Sequence, residues 1–332
     1  MTDALLFAAQ AVLPIFFLIG TGYALKRSQI VTDAFFEMGN KLTFRLFLPV
    51  MLFCNVYQIE RFSDINPAFI LYGIAAVIVI SLLATVITCV FTHDDAKRGA
   101  LIQAMFRSNY AIIGIPLAAS LFGEKGASAA GVMSAFCVPL FNVLSVIVLT
   151  AFHKEGVRTT PDLRKMLIGV IKNPLILGTV AGLFCLLIRE LFVQCGIPFR
   201  LSQMTWLFEA LGSIKGACTP FALIVLGGRF TFSAVSRLFR EILFGTLFRN
   251  VAVPAIGLSA AYFMRDLLHL SGEHFAVYVG VFATPAAVAS AIMAKEMGAD
   301  EELAGQLVVW TSLLGILTVF VSVTILRGIG LL

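Results

Sequence analysis

The sequence predicts an all-α polytopic membrane protein: ten transmembrane helices in two inverted five-helix repeats, with helices 4 and 9 broken and crossing. Three observations carry this expectation. Hydrophobic residues make up 59% of the 332-residue chain and charged residues 13%, about half the charged share of a soluble domain. Ten apolar runs, each near the roughly 20 residues that cross a bilayer, are separated by short polar breaks. Proline, glycine and intramembrane charge recur at corresponding places in the first five runs and the last five.

The runs are residues 4–25, 35–58, 68–91, 99–122, 127–152, 166–188, 201–228, 241–264, 275–295 and 303–326. The first, "MTDALLFAAQAVLPIFF", lacks a basic n-region and a small-residue cleavage site, so it reads as a span and not as a signal peptide. The longest polar break, "HKEGVRTTPDLRK" at 153–165, divides the chain into 1–152 and 166–332. Lys26, Arg27, Lys97, Arg98, Lys154, Arg158, Arg164 and Lys165 fall in loops that share one side. The positive-inside rule then places both termini outside and the central loop in the cytoplasm, in the cell (inner) membrane.

An odd number of spans per half forces the halves into opposite orientations. Pro14, Gly20 and Gly22 in the first span are answered by Pro174, Gly178 and Gly182 in the sixth. Arg45 stands four residues before Pro49 in the second span, and Lys215 five before Pro220 in the seventh. Gly114 and Pro116 in the fourth span are answered by Pro285 in the ninth. Paired interruptions of this kind point to the binding site of a secondary transporter.

Asn109 lies eleven residues beyond Arg98, and Pro285 eleven beyond His274. At 1.5 Å per residue both reach about 16 Å, near the middle of the bilayer. Proline removes a backbone donor, and freed backbone groups at that depth must be buried in protein or line a cavity. The outer half of the fourth span is expected to begin near Pro116 and the inner half of the ninth at or after Pro285. Both half-helices would direct their positive N-termini at the midplane, where Asn109 adds an amide.

Of the intramembrane charges, Lys215 is the deepest, and it is read as functional. Arg45, Arg107 and Arg249 lie about two to three turns in from the cytoplasmic side, where snorkelling, structural pairing and substrate contact all stay open. Glu37 and Glu209 sit near helix ends. No Asp or Glu falls at mid-span, so no strong sodium or proton site is legible, and coupling to H+ or Na+ stays open. The cationic balance suits a small anion, a dicarboxylate better than a monocarboxylate. The six cysteines show no ligand spacing and the four histidines no HExxH, so neither cofactor nor metal is expected and the chain reads as no enzyme. No basic run suggests nucleic acid.

The stretches "NYAIIGIP" (109–116) and "TPAAVASAIMAKE" (284–296), with "KNPLILGTVAGL" (172–183), resemble the auxin efflux carrier family. The resemblance covers nearly the whole chain. It implies a fold like bile-acid symporters and sodium–proton antiporters. Spans 1, 2, 6 and 7 would form a scaffold, often dimerising, and spans 3–5 and 8–10 a mobile core moving as an elevator. It implies an organic-anion cargo. The short central loop and Ser290, where plant members carry a second proline, resemble a bacterial-type member, for which malonate or malate is the expected class. On that pattern Asn109, Gly114, Pro116, Thr284 and Pro285 belong to the crossover. Lys215, Arg45 and Arg107 are added from depth alone. The rivals are a cation-coupled symporter or antiporter on the same fold, an intramembrane enzyme and a non-transporting sensor.

Overall fold

The computed structural model describes residues 2–58, 66–152, 172–196 and 200–332, and of residues 2–12 the backbone alone. The central linker at 153–165 lies outside the described residues. The described chain is helical, without a strand. Its helices are α1 (Thr2–Arg27), α2 (Asp33–Leu42), α3 (Leu48–Tyr57), α4 (Pro67–Phe91), α5 (Asp95–Phe106), α6 (Ile115–Ala151) and α7 (Pro174–Gln194). They continue as α8 (Thr205–Arg229), α9 (Ser233–Arg237), α10 (Phe239–Leu247), α11 (Val253–Phe263), α12 (Gly272–Phe282), α13 (Ala289–Glu296) and α14 (Glu301–Gly328). Among the described residues, six helical stretches are long and apolar enough to cross a membrane: 67–91, 110–151, 174–194, 205–229, 239–263 and 301–328. The stretch 110–151 is itself kinked at Phe122 and Gly123, where Gly123 takes the left-handed φ of 57° that glycine adopts without strain.

Among the described residues three π-helical turns interrupt the regular ladder, at Thr43–Phe47, Tyr110–Gly114 and Phe248–Ala252. Each ends two residues before a proline: Pro49, Pro116 and Pro254. The reason is local. Proline cannot donate, and its ring crowds the carbonyl four residues back. The residue before each proline therefore donates one step further, Leu48 to Thr43 O, Ile115 to Tyr110 O and Val253 to Phe248 O. A carbonyl freed in this way needs another partner inside a bilayer, and Thr318 Oγ1 supplies one to Asn250 O at 3.0 Å.

Lipid tails are as apolar as leucine, so helices in a membrane associate by close packing rather than by the hydrophobic effect. Here glycines make that packing close: Gly22 and Gly227 seat α1 directly on the α8 backbone, and Gly178 and Gly182 seat α7 on Pro49 and Phe53 of α3. Further along, α12 lies along α6, α4 on α5, and α14 on α10, α5 and α13.

Candidate functional site

Two of the breaks in the described helical path meet. α5 ends at Phe106, and helical structure resumes at Tyr110. α12 ends at Phe282, and α13 begins at Ala289. Between them Ser108 and Ala286 form an antiparallel bridge: Asn109 N–H donates to Pro285 O at 2.8 Å and Ala287 N–H to Arg107 O at 3.1 Å. Thr311 Oγ1 of α14 accepts from Ala286 N–H at 3.1 Å. The first break thus falls at 107–109, and the restart expected near Pro116 is corrected to the π turn beginning at Tyr110, six residues earlier. The proline widens a helix that is already running, and it is exposed. Gly114 marks a second point of closeness, since a Cβ built on it would lie 2.9 Å from the Gly280 Cα of α12.

Arg249 holds the opposite side of the crossing. Its side chain is fully buried. Nε and Nη2 donate to Thr284 O at 2.9 and 2.7 Å, Nη2 also to Val281 O at 3.1 Å, and Nη1 to Met105 O and Phe106 O at 3.3 Å each. These carbonyls close α5 and α12, where helices leave acceptors without partners and carry partial negative charge. A planar guanidinium with five donors suits that cluster better than an ammonium does. Thr284 is also anchored through its own hydroxyl, which donates to Gly280 O at 2.7 Å.

The two restarting helices face a cavity of about 60 Å³. Ser108, Asn109, Ala111 and Ile112 line it from one break and Ala287, Val288 and Ala289 from the other, against Leu48, Met51, Leu52 and Asn55 of α3, Phe141 of α6 and Thr219 of α8. Ser108 Oγ, Asn109 Nδ2 and Ser290 Oγ are buried without a hydrogen-bond partner, although each such group costs about 1–3 kcal/mol. Arg107 lines the same cavity. Its Nη2 donates to Asn142 Oδ1 at 2.7 Å and Nη1 to Ser145 Oγ at 3.4 Å, with Met293 Sδ also in contact. Oriented to satisfy both neighbours, the Gln103 amide accepts from Arg107 Nη1 at 3.3 Å and donates to Ser290 O at 3.1 Å. Among the described residues, no carboxylate pairs with Arg107.

A wider cavity of about 780 Å³ shares Asn55, Ala111 and Val138 with the small one and carries Gln58, Glu124 and Lys215 in its wall. Lys215 Nζ donates to Gln58 Oε1 at 2.7 Å, so this lysine stands in the outer chamber and not beside Asn109. Elsewhere a polar seam joins α2 and α8 to α13 and α14. Asn40 Nδ2 donates to Glu296 Oε1 at 2.8 Å, and Arg229 pairs with Glu301 at 2.6 Å and Lys295 with Glu301 at 3.3 Å.

A family model described as "Membrane transport protein" matches residues 7–323. The chain belongs to that family, the auxin efflux carriers. An "Uncharacterized transporter" of Methanothermobacter thermautotrophicus is 21% identical to this carrier-family chain over 322 residues, covering 94% of the chain and 96% of the relative. Family and relative point to a multi-pass membrane transporter rather than an enzyme. Of the residues singled out in the carrier's sequence, Asn109, Arg107, Thr284, Pro285 and Ser290 converge on the breaks. Arg45 does not: it sits exposed on its π turn and lines neither cavity. Reading depth alone missed this, because depth says nothing about which side of a helix a residue occupies. Sequence reasoning also missed Ser108, Gln103 and Asn142, which look like ordinary polar residues in apolar runs. It left Arg249 undecided, although a charge five residues before Pro254 is a usable signal.

Proposed function

We propose that this protein is a secondary transporter of small organic anions, with dicarboxylates such as malonate or malate as the cargo class. The carrying observation is that two unpartnered buried polar atoms, on Ser108 and Asn109, line the small cavity with Arg107 and two helix N-termini, while a third, on Ser290, lies in the second restarting helix. Charge accounting supports a dianion. Each helix end carries about half an elementary charge. The two negative ends fall on Arg249, whose single positive charge offsets them. The two positive ends and the whole charge of Arg107 face the small cavity, about two charges in all. Two carboxylates match that sum, and Lys215 in the adjoining chamber attracts them on the way in.

The wide chamber beside Lys215 and a second cavity of about 280 Å³ along the polar seam of Asn40, Arg229, Lys295 and Glu301 offer an approach from either end, which supports alternating access. In this reading the chain is ten spans in two inverted repeats. α1 to α3, α7 and α8 act as the scaffold, and the interrupted helices travel with the rest as an elevator. The protein sits in the inner membrane with its central loop in the cytoplasm. Reconstituted in liposomes, it is expected to take up radiolabelled malonate or malate and to exchange it against unlabelled internal substrate. Folded protein that exchanges no dicarboxylate refutes the substrate class. Lys215→Ala is expected to raise KM several-fold with kcat kept, and an unchanged KM would return that lysine to a structural role.

We also propose a homodimer through the scaffold. The outward face of α8 carries Glu209, Gly212, Ser213 and Gly216, and among the described residues nothing else packs within contact of either glycine. Small and polar residues suit a helix partner better than lipid. Cysteine at Gly216 should cross-link two copies in membranes. Monomeric protein without cross-links would overturn the pairing.

A further inference from the structure

We infer that Asn142 is a positioning residue that sets the valence of the substrate: it holds Arg107 with a neutral acceptor and so leaves the whole charge for the cargo. The inference rests on the small cavity being the substrate site. A buried arginine in a membrane protein pairs with a carboxylate or with backbone carbonyls, and one paired with a carboxylate has little charge left for a ligand. Arg107 instead meets only neutral groups among the described residues: the Asn142 amide oxygen at 2.7 Å, the Ser145 hydroxyl at 3.4 Å, the Gln103 amide and the Met293 thioether. Among the oxygen acceptors Asn142 is the closest. It is fully buried, and its own Nδ2 is fixed on Val138 O at 3.0 Å, which turns its oxygen toward the arginine. Asparagine and aspartate have nearly the same shape and differ here by one charge. At this position that difference decides whether the cavity presents about two positive charges or about one.

The test compares Asn142→Asp and Asn142→Leu with the wild type in proteoliposomes, using malonate and its singly charged monomethyl ester. The wild type is expected to prefer malonate. Asn142→Asp should lower the malonate-to-monoester ratio of apparent affinities at least ten-fold. Asn142→Leu, which removes the hydrogen bond and keeps the charge, should weaken both anions and leave the ratio within about two-fold of wild type. A purely structural role would move the two variants alike. Should Asn142→Asp not purify as a monodisperse protein, Ser145→Asp places a carboxylate beside the same guanidinium and is read in the same way. A wild type that prefers malonate, with its ratio unchanged by the added carboxylate, overturns the inference and leaves the transport reading standing. A folded wild type that takes neither anion overturns both.

Discussion

Arg249→Leu is expected to abolish transport and to lower stability by several kcal/mol, since each buried acceptor left without a donor costs about 1–3 kcal/mol. The loss comes from the carbonyls left behind. Met105, Phe106, Val281 and Thr284 would keep their acceptors in an apolar interior with no donor to replace the guanidinium. Water cannot fill the gap without opening the crossing itself. Arg249→Lys keeps the charge but has three donors on a flexible stem, so it should recover part of the stability and little of the activity. Thermal unfolding in detergent measures the first quantity and malonate exchange the second. An Arg249→Leu protein with wild-type melting temperature and exchange would show that the carbonyls need no partner.

Asn109→Ala should do the reverse, removing transport while the fold stays. The backbone of this residue carries the structural load: its N–H reaches Pro285 O, and its carbonyl accepts from Ile112 and Ile113. Its side-chain nitrogen reaches nothing. Deleting an unsatisfied buried donor relieves a desolvation penalty of about 1–3 kcal/mol, so the melting temperature is expected to hold or rise. If Asn109 binds the carboxylate, exchange should fall at least a hundred-fold. Wild-type exchange kinetics in the alanine variant would remove Asn109 from the site. The opposed signatures of Arg249 and Asn109, one residue essential to the fold and the other only to the cargo, can be read from the same two measurements.

The helical membrane class was legible because span length and apolar composition answer to bilayer thickness, and the Pro116 and Pro285 pair drew attention to the right neighbourhood. The position of the first break was not. Proline disturbs the backbone behind it, but a running helix absorbs the disturbance as a π turn, as also happens before Pro49 and Pro254. The actual break at 107–109 is fixed by pairing with a segment far along the chain, and no local rule encodes that. The arginines show the same division. Arg45 and Arg249 each sit on a π turn ahead of a proline, one exposed and the other fully buried. Tertiary packing decides between them, and a single sequence does not display it.

The bridge at Ser108 and Ala286 also constrains the order in which the protein can be made. Backbone groups at 107 and 109 find their partners at 287 and 285, and the carbonyls closing α5 wait for Arg249. All of these lie in the second half of the chain. As synthesis proceeds from the N-terminus, the first half enters the bilayer with peptide groups that it cannot satisfy from its own residues, a state that a lipid environment tolerates poorly. Until the ribosome has delivered residue 287, the centre of the molecule is unfinished, and a truncated chain is a natural target for membrane quality control.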